Sequence, residues 1–142
     1  MRINKEKVTI TNQITANDFV SLRESAGFQA LSIEQAELVI EKTTYISVAL
    51  YDGVPIGMAR LLFDFCTDAY ITDVIVAPEM QGCGIGALVI NDLVEFLKRH
   101  RTKDTKIACS FYANKGKEGF YEHFGFEKLP NEKYGFGMIM EL

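Results

Sequence analysis

The chain shows two hydrophobic periods, one typical of strands and one typical of helices. Apolar and β-branched runs predict strands at residues 7–12, 45–51, 55–65 and 69–76. Asp52-Gly53, between the second and third of these runs, is typical of a two-residue hairpin turn. Capping residues followed by helical spacing predict two helices, at residues 15–27 and 32–42. The first half therefore reads strand, two helices and three antiparallel strands.

The second half opens with a long amphipathic helix that begins at Ile85. Its apolar residues form one stripe at spacings of three and four, which we expect to pack on the sheet: Ile85, Leu88, Val89, Leu93, Phe96 and Leu97. After this helix the pattern predicts a strand at residues 107–112, a short helix at 117–124 and a closing strand at 136–140. No repeat or linker interrupts this order.

Composition narrows the class of protein. A chain of 142 residues that is 48% hydrophobic fits a single domain over residues 1–142. The net charge of −4 argues against a nucleic-acid partner, since such binding needs a basic surface. No apolar run is long enough to span a membrane, and the three cysteines lack the spacing of a disulfide framework or a zinc site. We expect a cytoplasmic protein with no membrane partner and no metal.

The most informative segment is the glycine-rich turn within residues 76–87, where a β-branched run leads directly into the long helix. Glycines let backbone N–H groups turn inward, and a helix N-terminus adds partial positive charge, so this turn predicts an anion site. The spacing Gly82-x-Gly84-x-x-Ala87 also fits a dinucleotide fingerprint. Too few residues follow it to supply the further parallel strands of such a fold, which argues against nicotinamide binding.

Two separate motifs resemble the GNAT superfamily of acetyl-CoA-dependent N-acyltransferases. The first is Gln81-x-x-Gly84-x-Gly86, preceded by the run from Asp73 to Pro78. The second places Asn114 seven residues before Tyr121 in a Phe-Tyr-Glu-x-Phe-Gly-Phe segment. The resemblance covers nearly the whole chain. It implies an α+β, three-layer α/β fold: a mixed, mostly antiparallel central sheet, a parallel strand pair that splays at the cofactor site, and helices on both faces.

The resemblance implies acetyl-CoA as co-substrate. The turn would hold its pyrophosphate through backbone amides, and the splayed strand would pair with its pantetheine arm. The implied cofactor-binding residues are Val74, Ile75, Val76, Gln81, Gly82, Cys83, Gly84, Ile85, Gly86, Ala87, Asn114, Lys117, Phe120 and Tyr121. Lys117 stands where the family usually has a small residue, so it either disturbs local packing or supplies a cation for a phosphate.

Acetyl transfer to an amine needs a proton acceptor for the ammonium and a proton donor for the departing thiolate. Tyr121 is our candidate general acid, since a phenol is protonated at pH 7; the alternative is a tyrosine that only packs with nearby phenylalanines. Asp73 is our candidate for a base or a substrate contact; the alternative is an ion pair with a neighbouring side chain. Cys83 lacks a suitably spaced histidine, so it is a poor candidate nucleophile.

The resemblance implies an acceptor site at residues 23–31 and 130–138, where Phe28 and Tyr134 suggest aromatic walls. Core packing is an equal explanation for Phe28. The predicted function is an N-acetyltransferase that moves acetyl from acetyl-CoA to a primary amine of a small molecule or peptide, by direct attack in a ternary complex. The alternative is a non-catalytic module that binds acyl-CoA. We expect a monomer or a homodimer.

Overall fold

A computed structural model describes residues 3–142. Contacts divide the chain into two compact units, one that ends at Ser110 and one that comprises Phe111–Leu142. The first unit contains the sheet and three of the helices, and the second contains one short helix. In the part of the chain described, no helix is both long enough and apolar enough to cross a membrane.

The first unit is built on a five-stranded sheet in sequential order. The first four strands run antiparallel to their neighbours, and the fifth runs parallel to the fourth. The strands are β1 (Val8–Thr11), β2 (Tyr45–Tyr51), β3 (Val54–Phe63), β4 (Asp68–Val76) and β5 (Ala108–Ser110). The predicted mixed, mostly antiparallel sheet is therefore confirmed. The hairpin at Asp52 and Gly53 is confirmed as well, with positive φ at both residues, as a two-residue turn of the primed type requires.

The two predicted helices between the first and second strands are confirmed with their caps. α1 (Ala16–Ser25) begins after Thr15, whose side-chain oxygen accepts from the Asp18 backbone N–H at 3.1 Å. α2 (Ile33–Lys42) begins with a complete capping box, in which Ser32 and Gln35 bond each other's backbone N–H groups. Both helix starts follow from short polar side chains that satisfy N–H groups which the helix itself leaves unbonded.

The long helix α3 (Ile85–Arg99) packs on strands β2, β3 and β4. Its apolar stripe is confirmed with one correction: Leu88 is 41% exposed, and Ile90 is fully buried instead. The contact face is therefore rotated slightly from the predicted one. Gly57 of β3 allows this close packing, because a Cβ there would lie 2.7 Å from Cγ2 of Ile85.

Strand β4 departs from regular pairing on both sides. On the β3 side, Met58 pairs with Ile75 and Arg60 with Thr72, so Asp73 and Val74 together oppose a single residue. This is a β-bulge, and the φ of +49° at Asp73 is part of it. On the other side, β5 pairs only with residues 68–70 of β4. The end of β4 therefore has no strand neighbour on that side among the described residues.

The second unit is an aromatic cluster around the short helix α4 (Glu118–Glu122). The predicted closing strand at residues 136–140 was wrong, since this segment has no strand structure. Phe136 and Met138 are 78% and 96% exposed. The apolar run at residues 136–140 is strand-like, but a strand forms only where ladder hydrogen bonds to a neighbour satisfy its backbone. β5 is likewise shorter than the predicted 107–112.

Candidate functional site

The glycine-rich turn connects the end of β4 to the start of α3. A short 3₁₀ turn, Pro78–Met80, follows the strand and directs the chain toward Gln81. Gly82 and Gly84 then adopt φ values of +79° and +83°, which side-chain-bearing residues rarely adopt. Gly84 is the N-cap of α3 and provides no side-chain cap. The sequence places glycine where the turn needs left-handed backbone.

The first turn of α3 presents unbonded amide donors. Leu88 donates to the Gly84 carbonyl at 3.3 Å, which is the bond that opens the helix. The N–H groups of Ile85, Gly86 and Ala87 precede it and have no acceptor within the helix. Among the described residues, nothing lies within 4 Å of the position that a Cβ at Gly82 would take, so the turn is open to them at this point. Free donors, open space and a helix N-terminus together can bind a phosphate.

A lysine that the sequence did not single out lies beside this turn. The ammonium of Lys5 is 3.8 Å from the position that a Cβ at Gly84 would take. Lys5 belongs to a 3₁₀ turn, Lys5–Lys7, that precedes β1, and Asn4 caps that turn. No sequence signal could have found it, because the tertiary fold brings together two segments far apart in the chain. Lys5 adds a cation to the anion site.

Two residues of the turn, Gln81 and Cys83, have side chains that contact nearby backbone carbonyls. Gln81 donates from Nε2 to the carbonyl of Val76 at 3.3 Å and so ties the turn back to the end of β4. The Cys83 sulfur lies 3.9 Å from the carbonyl of Gln81, and its side chain is half-buried. Both residues support the loop, and their roles in cofactor binding stay predictions.

Asp73 lies at the β4 bulge in a buried cluster of charged side chains. Arg23 of α1 donates from Nη1 to Oδ1 of Asp73 at 2.7 Å, and Arg60 of β3 donates from Nε to Oδ2 at 2.7 Å. The Asp73 side chain is only 5% exposed. Both carboxylate oxygens are engaged, so accepting a proton would disrupt an ion pair. This geometry favours the alternative interpretation, an ion pair with neighbouring side chains, over proton acceptance.

Phe28 lies next to this cluster, in the loop after α1. Its backbone N–H donates to the carbonyl of Arg23 at 3.0 Å, and its ring centroid is 5.3 Å from the Arg23 guanidinium carbon. Phe19 lies under both guanidinium groups, at 5.8 Å from that of Arg23 and 5.9 Å from that of Arg60. Sequence reasoning found Phe28, Asp73 and the segment that begins at Arg23, but it missed Arg60 and the two ion pairs to Asp73.

In the second unit, Tyr121 of α4 lies among aromatic rings. Its ring centroid is 4.3 Å from that of Phe111, 5.0 Å from that of Phe120 and 6.3 Å from that of Phe126. This burial raises the pKa of the Tyr121 phenol above its usual value of 10.0. The phenol therefore keeps its proton throughout the physiological range, as a general acid requires.

Three other predicted residues of the second unit, Asn114, Lys117 and Tyr134, are exposed, whereas Phe120 is half-buried. The Asn114 carbonyl accepts from the Lys117 backbone N–H at 3.0 Å, and Lys117 is the N-cap of α4. Tyr134 is 48% exposed, in a turn where the Asn131 side chain accepts from the backbone N–H groups of Lys133 and Tyr134. The proposed functions of these residues stay predictions. Among the described residues, no cluster of histidine, cysteine, aspartate and glutamate could hold a metal ion.

Known proteins share this fold. The profile of the acetyltransferase (GNAT) family matches residues 11–126. A probable acetyltransferase of unknown function from meticillin-resistant Staphylococcus aureus superposes with a TM-score of 0.82 at 25% identity, covering 95% of this chain and 99% of that one. The chain is therefore a member of the GNAT acetyltransferase family, and it has that family's fold.

Two curated relatives carry similar names. An uncharacterized N-acetyltransferase of Gracilaria tenuistipitata var. liui is 24% identical over 87% of this chain and 68% of its own length. GCN5-related N-acetyltransferase 1, chloroplastic, of Arabidopsis thaliana is 27% identical over 85% of this chain and 60% of its own length. The chain thus spans about two thirds of the length of these relatives. It is an acyltransferase of the GNAT N-acetyltransferase type.

Proposed function

We propose that this protein transfers an acetyl group from acetyl-CoA to a primary amine of a small molecule or peptide, in one ternary complex. The observation that carries the proposal is the turn between β4 and α3. It combines two glycines in left-handed conformation, three helix N–H groups without intrahelical acceptors and the nearby ammonium of Lys5. Such a site suits the pyrophosphate of coenzyme A.

Strand β4 supports the same assignment. Beyond Tyr70 its backbone has no strand neighbour on the β5 side among the described residues, so an extended chain can add there as a further strand. The pantetheine arm of coenzyme A carries amide groups that suit this backbone pairing. Main-chain groups of Val74 and Val76 are the proposed partners, and the bulge at Asp73 and Val74 alters the local direction of the strand.

The protein's residues provide two chemical functions, and acetyl-CoA supplies the activated acetyl thioester. Tyr121 donates a proton to the departing thiolate, which its raised pKa permits because the phenol stays protonated. Asp73 positions Arg23 and Arg60 instead of accepting a proton. An alkylammonium has a pKa of about 10.4, so only on the order of one amine in a thousand is unprotonated at pH 7. Solvent water accepts the proton that the ammonium loses before the amine attacks.

The experiment is a turnover assay with acetyl-CoA and a panel of primary amines, in which release of free thiol and acetylated amine are both measured. The proposal predicts that the two products form in equal amounts with at least one amine. Calorimetry with coenzyme A tests the alternative, a module that binds acyl-CoA without turnover. Micromolar binding with no product from any amine class would support that alternative and contradict the transferase.

We also propose a cytoplasmic location and a monomer or homodimer, with neither nucleic acid nor membrane as partner. The net charge of −4 supports the absence of a nucleic-acid partner. The three cysteines, Cys66, Cys83 and Cys109, form no disulfide, which suits a reducing compartment. Separation by size with light scattering measures the oligomeric state directly.

A further inference from the structure

The buried cluster of Arg23, Arg60 and Asp73 contains two guanidinium cations and one carboxylate, so one positive charge is in excess. The side chains of Arg23 and Arg60 are 11% and 13% exposed, and that of Asp73 is 5% exposed. A net charge in so enclosed a place is costly unless an opposite charge accompanies it. The cluster therefore lacks a second negative charge to balance its two guanidinium groups.

Hydrogen bonding in the cluster is incomplete as well. Arg23 donates from Nη1 to Asp73 and from Nη2 to the carbonyl of Gln29 at 3.2 Å, while its Nε is buried without a hydrogen-bond partner in the part of the chain that the structure describes. Arg60 donates from Nε to Asp73 and from Nη1 to Thr43 at 2.9 Å. Buried donors in native proteins are nearly always bonded, so the unbonded Nε of Arg23 marks a missing acceptor.

The position of the cluster relates it to the acetyl donor. Asp73 forms the β4 bulge together with Val74, whose main chain is the proposed neighbour of the pantetheine arm. A strand rises about 3.3 Å per residue, so Asp73 lies within about 10 Å of Val76 along β4. Phe28 is in contact with Arg23 and belongs to the loop between α1 and α2. A ligand at the arginines would lie beside the same stretch of β4.

We propose that the acceptor amine carries a carboxylate, as an amino acid does, and that Arg23, with Arg60, binds this carboxylate. The inference rests on the proposed acetyl transfer. A carboxylate carries the single negative charge that offsets the excess, whereas a phosphate monoester carries close to two. Planar guanidinium groups also match carboxylates in bidentate geometry, and a carboxylate at Nε and Nη2 would satisfy the unbonded donor of Arg23. Asp73 holds both arginines in place.

The test compares amines that differ only in the carboxylate. One matched set is L-phenylalanine, its amide and 2-phenylethylamine. The second set is L-lysine and cadaverine, and the third is 5-hydroxytryptophan and serotonin. O-phosphoethanolamine is an amine that carries a phosphate in place of a carboxylate. The inference predicts that kcat/KM is at least tenfold higher for the carboxylate member of each set that reacts. Equal or higher values for the amide, the decarboxylated amine or the phosphate would overturn it while leaving acetyl transfer intact.

Arg23→Gln tests the residue itself. KM for the carboxylate-bearing amine should rise at least tenfold, while KM for acetyl-CoA and the kinetics of the amide change less than twofold. Arg23→Lys should restore part of the preference, because a cation remains. Arg99→Gln is the matched control, since Arg99 is exposed on α3. A uniform loss with all amines in Arg23→Gln would indicate a purely structural role and overturn the inference.

A binding measurement separates failure of this inference from failure of the proposed function. Calorimetry in the presence of coenzyme A compares N-acetyl-L-phenylalanine with its amide, on the wild type and on Arg23→Gln. Tighter binding of the acid to the wild type alone supports the carboxylate site even if no amine is turned over. Equal binding of acid and amide to the wild type overturns the carboxylate site whatever the turnover assay shows. Because this comparison uses the wild type alone, it tests the site even if Arg23→Gln does not fold.

Discussion

At the scale of single residues, the proposed chemistry depends on the burial of Tyr121 and on the ion pairs of Asp73. Tyr121 lies among phenylalanine rings, and burial raises its pKa. The phenol therefore stays protonated near pH 7 and is available as a proton donor. Both carboxylate oxygens of Asp73 accept from guanidinium groups, those of Arg23 and Arg60. A tyrosine acid and an aspartate that positions arginines are therefore the roles that these environments support.

Replacing the Tyr121 hydroxyl tests the acid directly. Tyr121→Phe should lower kcat by about 10²-fold, since general acid catalysis contributes roughly 10²–10⁴-fold. Binding of coenzyme A and the melting temperature should change little, because the aromatic ring remains. Tyr51→Phe, a matched change on β2 in the first unit, should leave kcat unchanged. Turnover of Tyr121→Phe equal to that of the wild type would remove Tyr121 from this role.

The pH dependence follows from the direction of the Tyr121 pKa. Below the amine's pKa, kcat/KM should rise with pH as more of the amine loses its proton. A raised phenol pKa keeps the acid protonated to pH values above its usual 10.0, so no descending limb is expected below about pH 10. Rates measured from pH 6 to 10 check this. A fall in rate near pH 8 that Tyr121→Phe abolishes would contradict the assignment.

Lys5 should contribute to coenzyme A affinity through charge. Lys5→Gln should raise the Kd for coenzyme A several-fold, and the difference from the wild type should shrink as salt is raised, because exposed charges are screened. Lys7→Gln is the control: it lies in the same 3₁₀ turn, but its ammonium is 3.5 Å from a carboxylate oxygen of Asp52. Equal Kd values for the two variants would show that Lys5 has no specific role.

At the scale of elements, the connection from β4 to α3 combines a bulged strand, a left-handed turn and an uncapped helix start. Each part leaves backbone groups available that regular structure would bond. Gly57 of β3 lets the start of α3 pack closely on the sheet, since its missing Cβ leaves room for Ile85. The proposed coenzyme A site is therefore formed mainly by backbone, and the side chain of Gln81 bonds to the end of β4 beside it.

Two glycines with the same φ separate backbone strain from binding. Gly82 in the turn and Gly53 in the β2–β3 hairpin both have φ of +79°, and neither has an atom within 4 Å of its missing Cβ. Alanine at either position should cost about 1–2 kcal/mol of stability from left-handed strain. Only Gly82→Ala should also weaken coenzyme A binding, at least tenfold by calorimetry. Equal affinity of both variants would show that the turn does not bind the cofactor.

Local signals predicted most of the fold at this scale. Caps, the Asp52-Gly53 turn and the stripe on α3 depend on neighbours in sequence, and the structure confirms them. The strand prediction at residues 136–140 failed because a strand depends on a neighbouring strand as well as on an apolar run. Leu88 failed because a stripe fixes a helix face only to within about one residue's rotation.

At the scale of the molecule, the family profile spans residues 11–126 and so includes parts of both units. The turn and the arginine cluster belong to the first unit, and Tyr121 belongs to the second. The sequence predicted the turn and the tyrosine because each lies in a contiguous motif. It did not predict Lys5, Arg60 or the ion pairs of Arg23 and Arg60 with Asp73, because these residues come from separate elements and only the tertiary structure reveals their contacts.

The central claim is direct transfer of acetyl from acetyl-CoA to an amine in a ternary complex. Initial rates measured over a matrix of acetyl-CoA and amine concentrations test it most directly, with mass spectrometry of the protein after exposure to acetyl-CoA alone. The account predicts intersecting double-reciprocal lines and an unmodified protein. Parallel lines together with an acetylated protein would indicate a covalent intermediate and contradict it.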